Sequence, residues 1–85
     1  MTQSLGEIDA LIREEKRLTA LESQTEAWAE AIASGIEPEI MAEAALSTAF
    51  AELARACGEE AALAMLERMR ERVVAGDFEE NRTRH

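Results

Sequence analysis

Apolar residues recur along the first third of the chain at Ile8, Leu11, Ile12, Leu18, Leu21, Trp28 and Ile32, with Glu15, Glu22 and Thr25 as polar gaps. This spacing gathers them on one side of an α-helix. Ser4-Leu5-Gly6-Glu7 has the spacing of a capping box, in which the hydroxyl and the carboxylate each satisfy a backbone N–H that the helix leaves unpaired. Ser34-Gly35 marks the end, because Gly adopts the left-handed C-terminal conformation at little cost. A helix of about 30 residues is long against the usual 10–14. It either stands out from the body or pairs with a copy of itself. Ser23-Gln24-Thr25-Glu26 offers a second capping box in its middle, which leaves a break there open.

Ile36-Glu37-Pro38 reads as a connector, with Pro38 in the first turn of a second helix, where its missing N–H costs nothing. Thirteen of the 18 residues from Ile40 to Cys57 are apolar, Ile40, Met41, Leu46, Phe50 and Leu53 among them, and they cover most of the helix circumference. Such a helix is expected to be buried on several sides, more than two other helices of one short chain cover. Its alanines allow close approach of neighbours. Gly58 closes it, and Glu59 and Glu60 favour the positive end of a third helix carrying Leu63, Met65, Leu66, Met69, Val73 and Val74 and ending at Ala75-Gly76. Helices two and three form a tight hairpin.

The predicted fold is all-α: a long N-terminal helix followed by a helical hairpin, one domain over residues 1–76 with a polar tail at 77–85 that Phe78 pins. Leu46, Phe50, Leu53, Leu66 and Met69 are expected to form the core around helix two, with Trp28 and Ile32 packed at the junction with helix one. A chain of 85 residues buries a modest core, and self-association is a common remedy. A homodimer or higher helical oligomer is therefore expected.

Charge changes this picture. The net charge is −9, and between Leu18 and Ala54 lie seven carboxylates and no basic residue. That excludes phosphate-backbone binding and docking on anionic membranes, and favours a basic protein partner. Glu22, Glu26 and Glu30, four apart, form a stripe on helix one. Its plain reading is a solvated face. Its sharper reading is a docking stripe for arginines, with Arg68 and Arg72 on helix three as a pairing stripe and Arg70 between them on another face. Exposed pairs of this kind add little energy but select partner and register. Trp28 is read as a core or interface anchor.

Little here suggests chemistry. His85 is the sole histidine, so di-iron Glu-x-x-His pairs are missing, and a bare run of Glu is a weak metal signal. With Arg82 and Arg84, His85 makes only a small basic tip. Cys57 sits at the C-terminal end of its helix with no histidine nearby, which suits a packed core thiol better than a nucleophile. No phosphate loop, Cys-x-x-Cys, His-Glu-x-x-His or Gly-x-Ser-x-Gly occurs. No enzyme activity, cofactor or metal is expected. A lone cysteine fits a reducing cytosol, Met1-Thr2-Gln3-Ser4 begins no signal peptide, and no apolar run is long enough to span a bilayer.

Size, acidity and helicity are similar to acyl carrier proteins, but no serine stands in their Asp-Ser-Leu context; Leu46-Ser47-Thr48 has no preceding Asp. Gly35-Ile36-Glu37-Pro38-Glu39 before an Ala-rich helix, with Arg70-Glu71-Arg72-Val73-Val74-Ala75-Gly76-Asp77-Phe78 near the end, resembles small uncharacterised helical proteins of proteobacteria. That resemblance covers about the last 50 residues and implies a bacterial cytosolic helical protein and no activity. The expected function is a non-enzymatic protein–protein interaction module, such as a small adaptor, regulator or assembly subunit. The alternatives are an acidic nucleic-acid mimic that inhibits a basic protein, and a carboxylate metal-binding bundle.

Overall fold

A computed structural model describes residues 4–79. The first three residues and the basic tip of Arg82, Arg84 and His85 lie outside the described residues. Within them the protein is all-α: α1 (Leu5–Ala33), α2 (Pro38–Cys57) and α3 (Glu59–Val74). Contacts divide the chain into two units, one ending at Ala42 and the other beginning at Glu43.

In the first unit, the Ser4 hydroxyl accepts the Glu7 N–H at 3.1 Å and so caps α1. The helix runs unbroken for 29 residues, about 43 Å at 1.5 Å per residue. The second capping box at Ser23 is not used. Thr25 Oγ1 instead donates to the Leu21 carbonyl at 2.8 Å, one turn back along a continuous helix. At the far end Gly35 N–H donates to Ile32 O and Ile36 N–H to Ala31 O, the paired bonds of a Schellman cap, with Gly35 at φ +90°. From Leu5 to Glu30 every side chain of α1 is exposed, and Ala31 is half-buried.

In the second unit, α2 and α3 turn at Gly58, which takes φ +97° and ψ 161°, a backbone region open to glycine almost alone. Each helix presents one half-buried stripe: Ala45, Phe50, Leu53 and Ala54 on α2, and Ala61, Ala62, Met65 and Met69 on α3. The expected core is corrected here. Leu46 and Leu66 are 55% and 50% exposed, and Phe50, Leu53 and Met69 are only half-buried. Two helices share one mutual face, so an α2 that is apolar nearly all round keeps most of its apolar surface in water. Trp28 and Ile32 are likewise 39% and 38% exposed, so neither is a packed junction residue. Cys57 is exposed as well. It shares the helical face of Phe50 and Leu53 but lies in the last turn, just before the hairpin reverses.

α3 ends on a second Schellman cap: Gly76 N–H donates to Val73 O and Asp77 N–H to Arg72 O. Phe78 is held there, with the Arg72 guanidinium 4.6 Å from its ring centroid and Arg72 Nε 3.6 Å from Asp77 Oδ2.

Two glycine replacements should move stability in opposite directions. A Cβ at Gly58 meets no neighbouring atom, yet its backbone conformation resists any side chain. Gly58→Ala is therefore expected to cost about 1–3 kcal/mol. Gly6, inside the first turn of α1 and 3.8 Å from Ser4 Oγ at the position of an added Cβ, has room and a helical backbone. Gly6→Ala should stabilise by about 0.5–1 kcal/mol. Urea unfolding followed by circular dichroism measures both.

Candidate protein-interaction surface

The surface of interest lies on α1. Successive positions four apart rotate by about 40° around a helix. Glu22, Glu26 and Glu30 therefore form an inclined stripe that starts beside the apolar face and winds away from it. All three carboxylates are exposed. Glu22 and Glu26 border a shallow groove whose floor is Leu18, Leu21 and Thr25. Trp28 and Ile32 continue the same apolar face toward the end of the helix. Sequence reasoning singled out the three carboxylates and Trp28 but passed over Leu18, Leu21 and Thr25 as a site. The available signal was the spacing of three and four from Leu18 to Ile32, obscured because Thr25 counts as polar.

The N-terminal half of α1 holds a different arrangement. Arg17 meets Glu14 twice, Nε to Oε1 at 3.1 Å and Nη2 to Oε2 at 2.8 Å. This two-pronged, charge-assisted contact joins residues three apart on an exposed face. The hydrogen bond to Arg17, and then its charge, hold the Glu14 carboxyl below the usual carboxylate range. The same bond raises the Arg17 guanidinium. A shallow depression beside this pair is bordered by Ala10, Arg13 and Lys16.

The arginines proposed to pair with the stripe lie on α3 in the second unit. Arg68 Nη2 lies 3.6 Å from the Met65 sulfur, and Arg70 Nη1 is 3.6 Å from Glu67 Oε2. Arg72 reaches Asp77, Phe78 and, at 4.0 Å, the Met69 sulfur. On α2, Arg55 pairs with Glu52. These contacts link residues three to six apart in sequence and hold the guanidinium groups at the helix surface. Among the described residues, no three histidine, cysteine or acidic side chains converge in a way that would hold a metal ion. No described helix is long and apolar enough to cross a membrane.

Compared with known proteins, the chain matches no protein-family model, no curated protein and no solved structure. The functional reading therefore stands on the chain's own surface.

The Glu14–Arg17 contact gives a direct test of the local electrostatics. Because the folded pKa of Glu14 is depressed, the contact supports α1 above the ordinary carboxylate pKa and is lost as pH falls through the lowered value. Arg17→Ala should return the Glu14 carboxyl to the ordinary range. NMR titration of the side-chain carboxyl carbons measures this.

Proposed function

We propose that this protein is a non-enzymatic protein–protein interaction module, a small adaptor, regulator or assembly subunit working by helix-on-helix contact. One observation carries the reading. Neither unit buries an apolar side chain, while sixteen large apolar residues of the described chain, from Leu5 to Phe78, stand exposed. Scattered surface leucines are ordinary, but apolar surface continuous along a helix face is the mark of an interaction site. A helix offering such a face docks against another helix or in a groove. The apolar face of Leu18, Leu21, Trp28 and Ile32 supplies affinity, and the acidic stripe of Glu22, Glu26 and Glu30 supplies selectivity for a partner carrying arginines, including Arg68 and Arg72 of a second copy. Homodimers or higher homo-oligomers belong to the same reading.

A second reading draws on the seven carboxylates without a base between Leu18 and Ala54: an acidic mimic that fills the nucleic-acid groove of a basic protein. The two differ in salt response. Contacts made by carboxylates alone weaken steeply as salt rises, whereas apolar contacts do not.

Light scattering over a dilution series at low and high salt, with a hydrophobic dye added in parallel, tests the module reading. The expected result is a mass above one chain that survives high salt, or a monomer that binds the dye strongly. A monomer that binds no dye would show the apolar surface to be covered and would overturn the reading. The triple change Glu22→Lys, Glu26→Lys and Glu30→Lys should abolish partner capture or assembly and leave helicity by circular dichroism unchanged. Unaltered capture and assembly in that variant would remove the stripe from the mechanism.

A further inference from the structure

From Leu18 onward the apolar face of α1 steps by three and four: Leu18, Leu21, Thr25, Trp28, Ile32. This is the alternation of a and d positions at which two helices interlock, side chains of one entering holes of the other. Leu18 is 48% and Leu21 55% exposed, and Trp28 and Ile32 are open as described above. The groove on this face is lined by Leu18, Leu21, Glu22, Thr25 and Glu26. Its first four residues occupy consecutive a, d, e and a positions, the four corners of a hole that receives a d side chain from a parallel partner. Leu21 is itself such a side chain. The face is thus complementary to a copy of itself.

Two details fit a dry seam. Thr25 is the one polar residue in it, and its hydroxyl already donates to the Leu21 carbonyl at 2.8 Å, so burial strands no donor. Glu26 and Glu30 rotate away from the seam, and the flanking positions Gln24, Ala29 and Ala31 carry no charge. Glu22 is the only charged flank between Leu18 and Ile32. The flank position just before the seam is Arg17. In a parallel pair, a g residue of one helix lies against the e residue five positions later on the other, so Arg17 faces Glu22 of the second copy, twice by symmetry. An antiparallel pair sets e against e: with Leu18 against Leu21 or Trp28 it brings Glu22 toward Glu15 or Glu22 of the second copy, a meeting of like charges, and with Leu21 against Ile32 it sets Glu22 beside Ala29 but leaves Leu18 without a partner. The N-terminal limit is also marked: Glu14 falls on the preceding d position and would face its own copy, so the seam opens there.

We infer that α1 is a homodimerisation helix that pairs in parallel and in register with α1 of a second copy over Leu18–Ile32, Leu21 entering the hole of Leu18, Leu21, Glu22 and Thr25, and Arg17 lying opposite Glu22 of the second copy. This rests on the interaction-module reading and names its occupant.

The test uses the full chain. Sedimentation equilibrium should give two chains, and Leu21→Glu should reduce this to one, while Leu63→Glu on α3 leaves the dimer intact. Arg17→Glu should weaken dimerisation roughly 3–10-fold, and Arg17→Glu with Glu22→Arg should restore it, which a merely unfolded variant would not do. Orientation is read from a nitroxide at Ala33→Cys in a Cys57→Ala background. Parallel pairing sets the helices about 8–10 Å apart and gives a label separation below roughly 25 Å by electron–electron resonance. Antiparallel pairing separates the labels by about 40 Å with Leu18 against Leu21, about 30 Å with Leu18 against Trp28 and about 20 Å with Leu21 against Ile32, and a second label at Ala10→Cys, about 50 Å from its mate in that last register, tells it from parallel pairing. An antiparallel distance at either label would overturn the inference. So would a chain that stays monomeric at every concentration. A dimer that Leu63→Glu dissociates and Leu21→Glu leaves intact would overturn it too, yet leave the interaction-module reading standing on the second unit.

Discussion

Removing apolar surface from water contributes about 25 cal/mol per Å², and full burial of a leucine-sized side chain contributes roughly 1.5–3 kcal/mol. That term depends on geometry that a short helical chain struggles to supply. α1 spends 29 residues on a single helix, and within its own unit only the opening turn of α2 accompanies it. The second unit has two helices and therefore one mutual face. Leucines, isoleucines and the tryptophan are consequently distributed on surfaces that their own unit leaves open. This shortage of covering surface is what the proposed interaction module rests on, since most helical stability comes from packing of an apolar face.

Charge then decides by what. A net charge of −9 repels other acidic surfaces at long range, but a Debye length of about 8 Å at physiological salt leaves contact selection to the nearest groups. On α1 those groups are sorted by angle. Glu26 and Glu30 sit away from the apolar face, Glu22 borders it, and Arg17 borders its other edge with both prongs on Glu14. The acidic residues thus do not burden the apolar contact, and the pair nearest the seam has opposite signs. On α3 the guanidinium groups are held by acids and sulfurs about a turn away. Ion pairs this exposed contribute little stability, and in the proposed module their role is discrimination between partners and orientations.

The helix boundaries were legible because they are set by local chemistry. Ser4 caps α1, Gly35, Gly58 and Gly76 carry positive φ, and Pro38 opens α2, each where a few neighbouring residues suffice to dictate the backbone. Which residues would be covered was not legible, since burial depends on how many other elements reach a face. Leu46 and Leu66 have every local mark of core residues and are half in water. Cys57 sits on the right face of α2 and at the wrong height, beyond the reach of the contact that half-covers Leu53. The acidic stripe was readable as a periodic pattern, but the groove beside it was not. A threonine on an apolar seam looks like an interruption until its hydroxyl is seen to be occupied.

That threonine also settles how the two halves of α1 relate. Ser23-Gln24-Thr25-Glu26 has the spacing to cap a new helix, and a break there would restart the helical phase between Leu21 and Thr25. Leu18 and Leu21 would then point one way and Trp28 and Ile32 another, with neither pair long enough to hold a partner helix. Thr25 Oγ1 donating to the Leu21 carbonyl closes the competing option, because the hydroxyl bonds back within the helix where a cap would need its oxygen to accept from an N–H ahead. The residues around it, Glu22, Glu26, Ala27 and Ala29, favour helix or tolerate it well. Continuity of the helix and continuity of its apolar face are therefore one property. The proposed pairing with a second helix depends on this unbroken phase from Leu18 to Ile32 more than on the number of apolar residues.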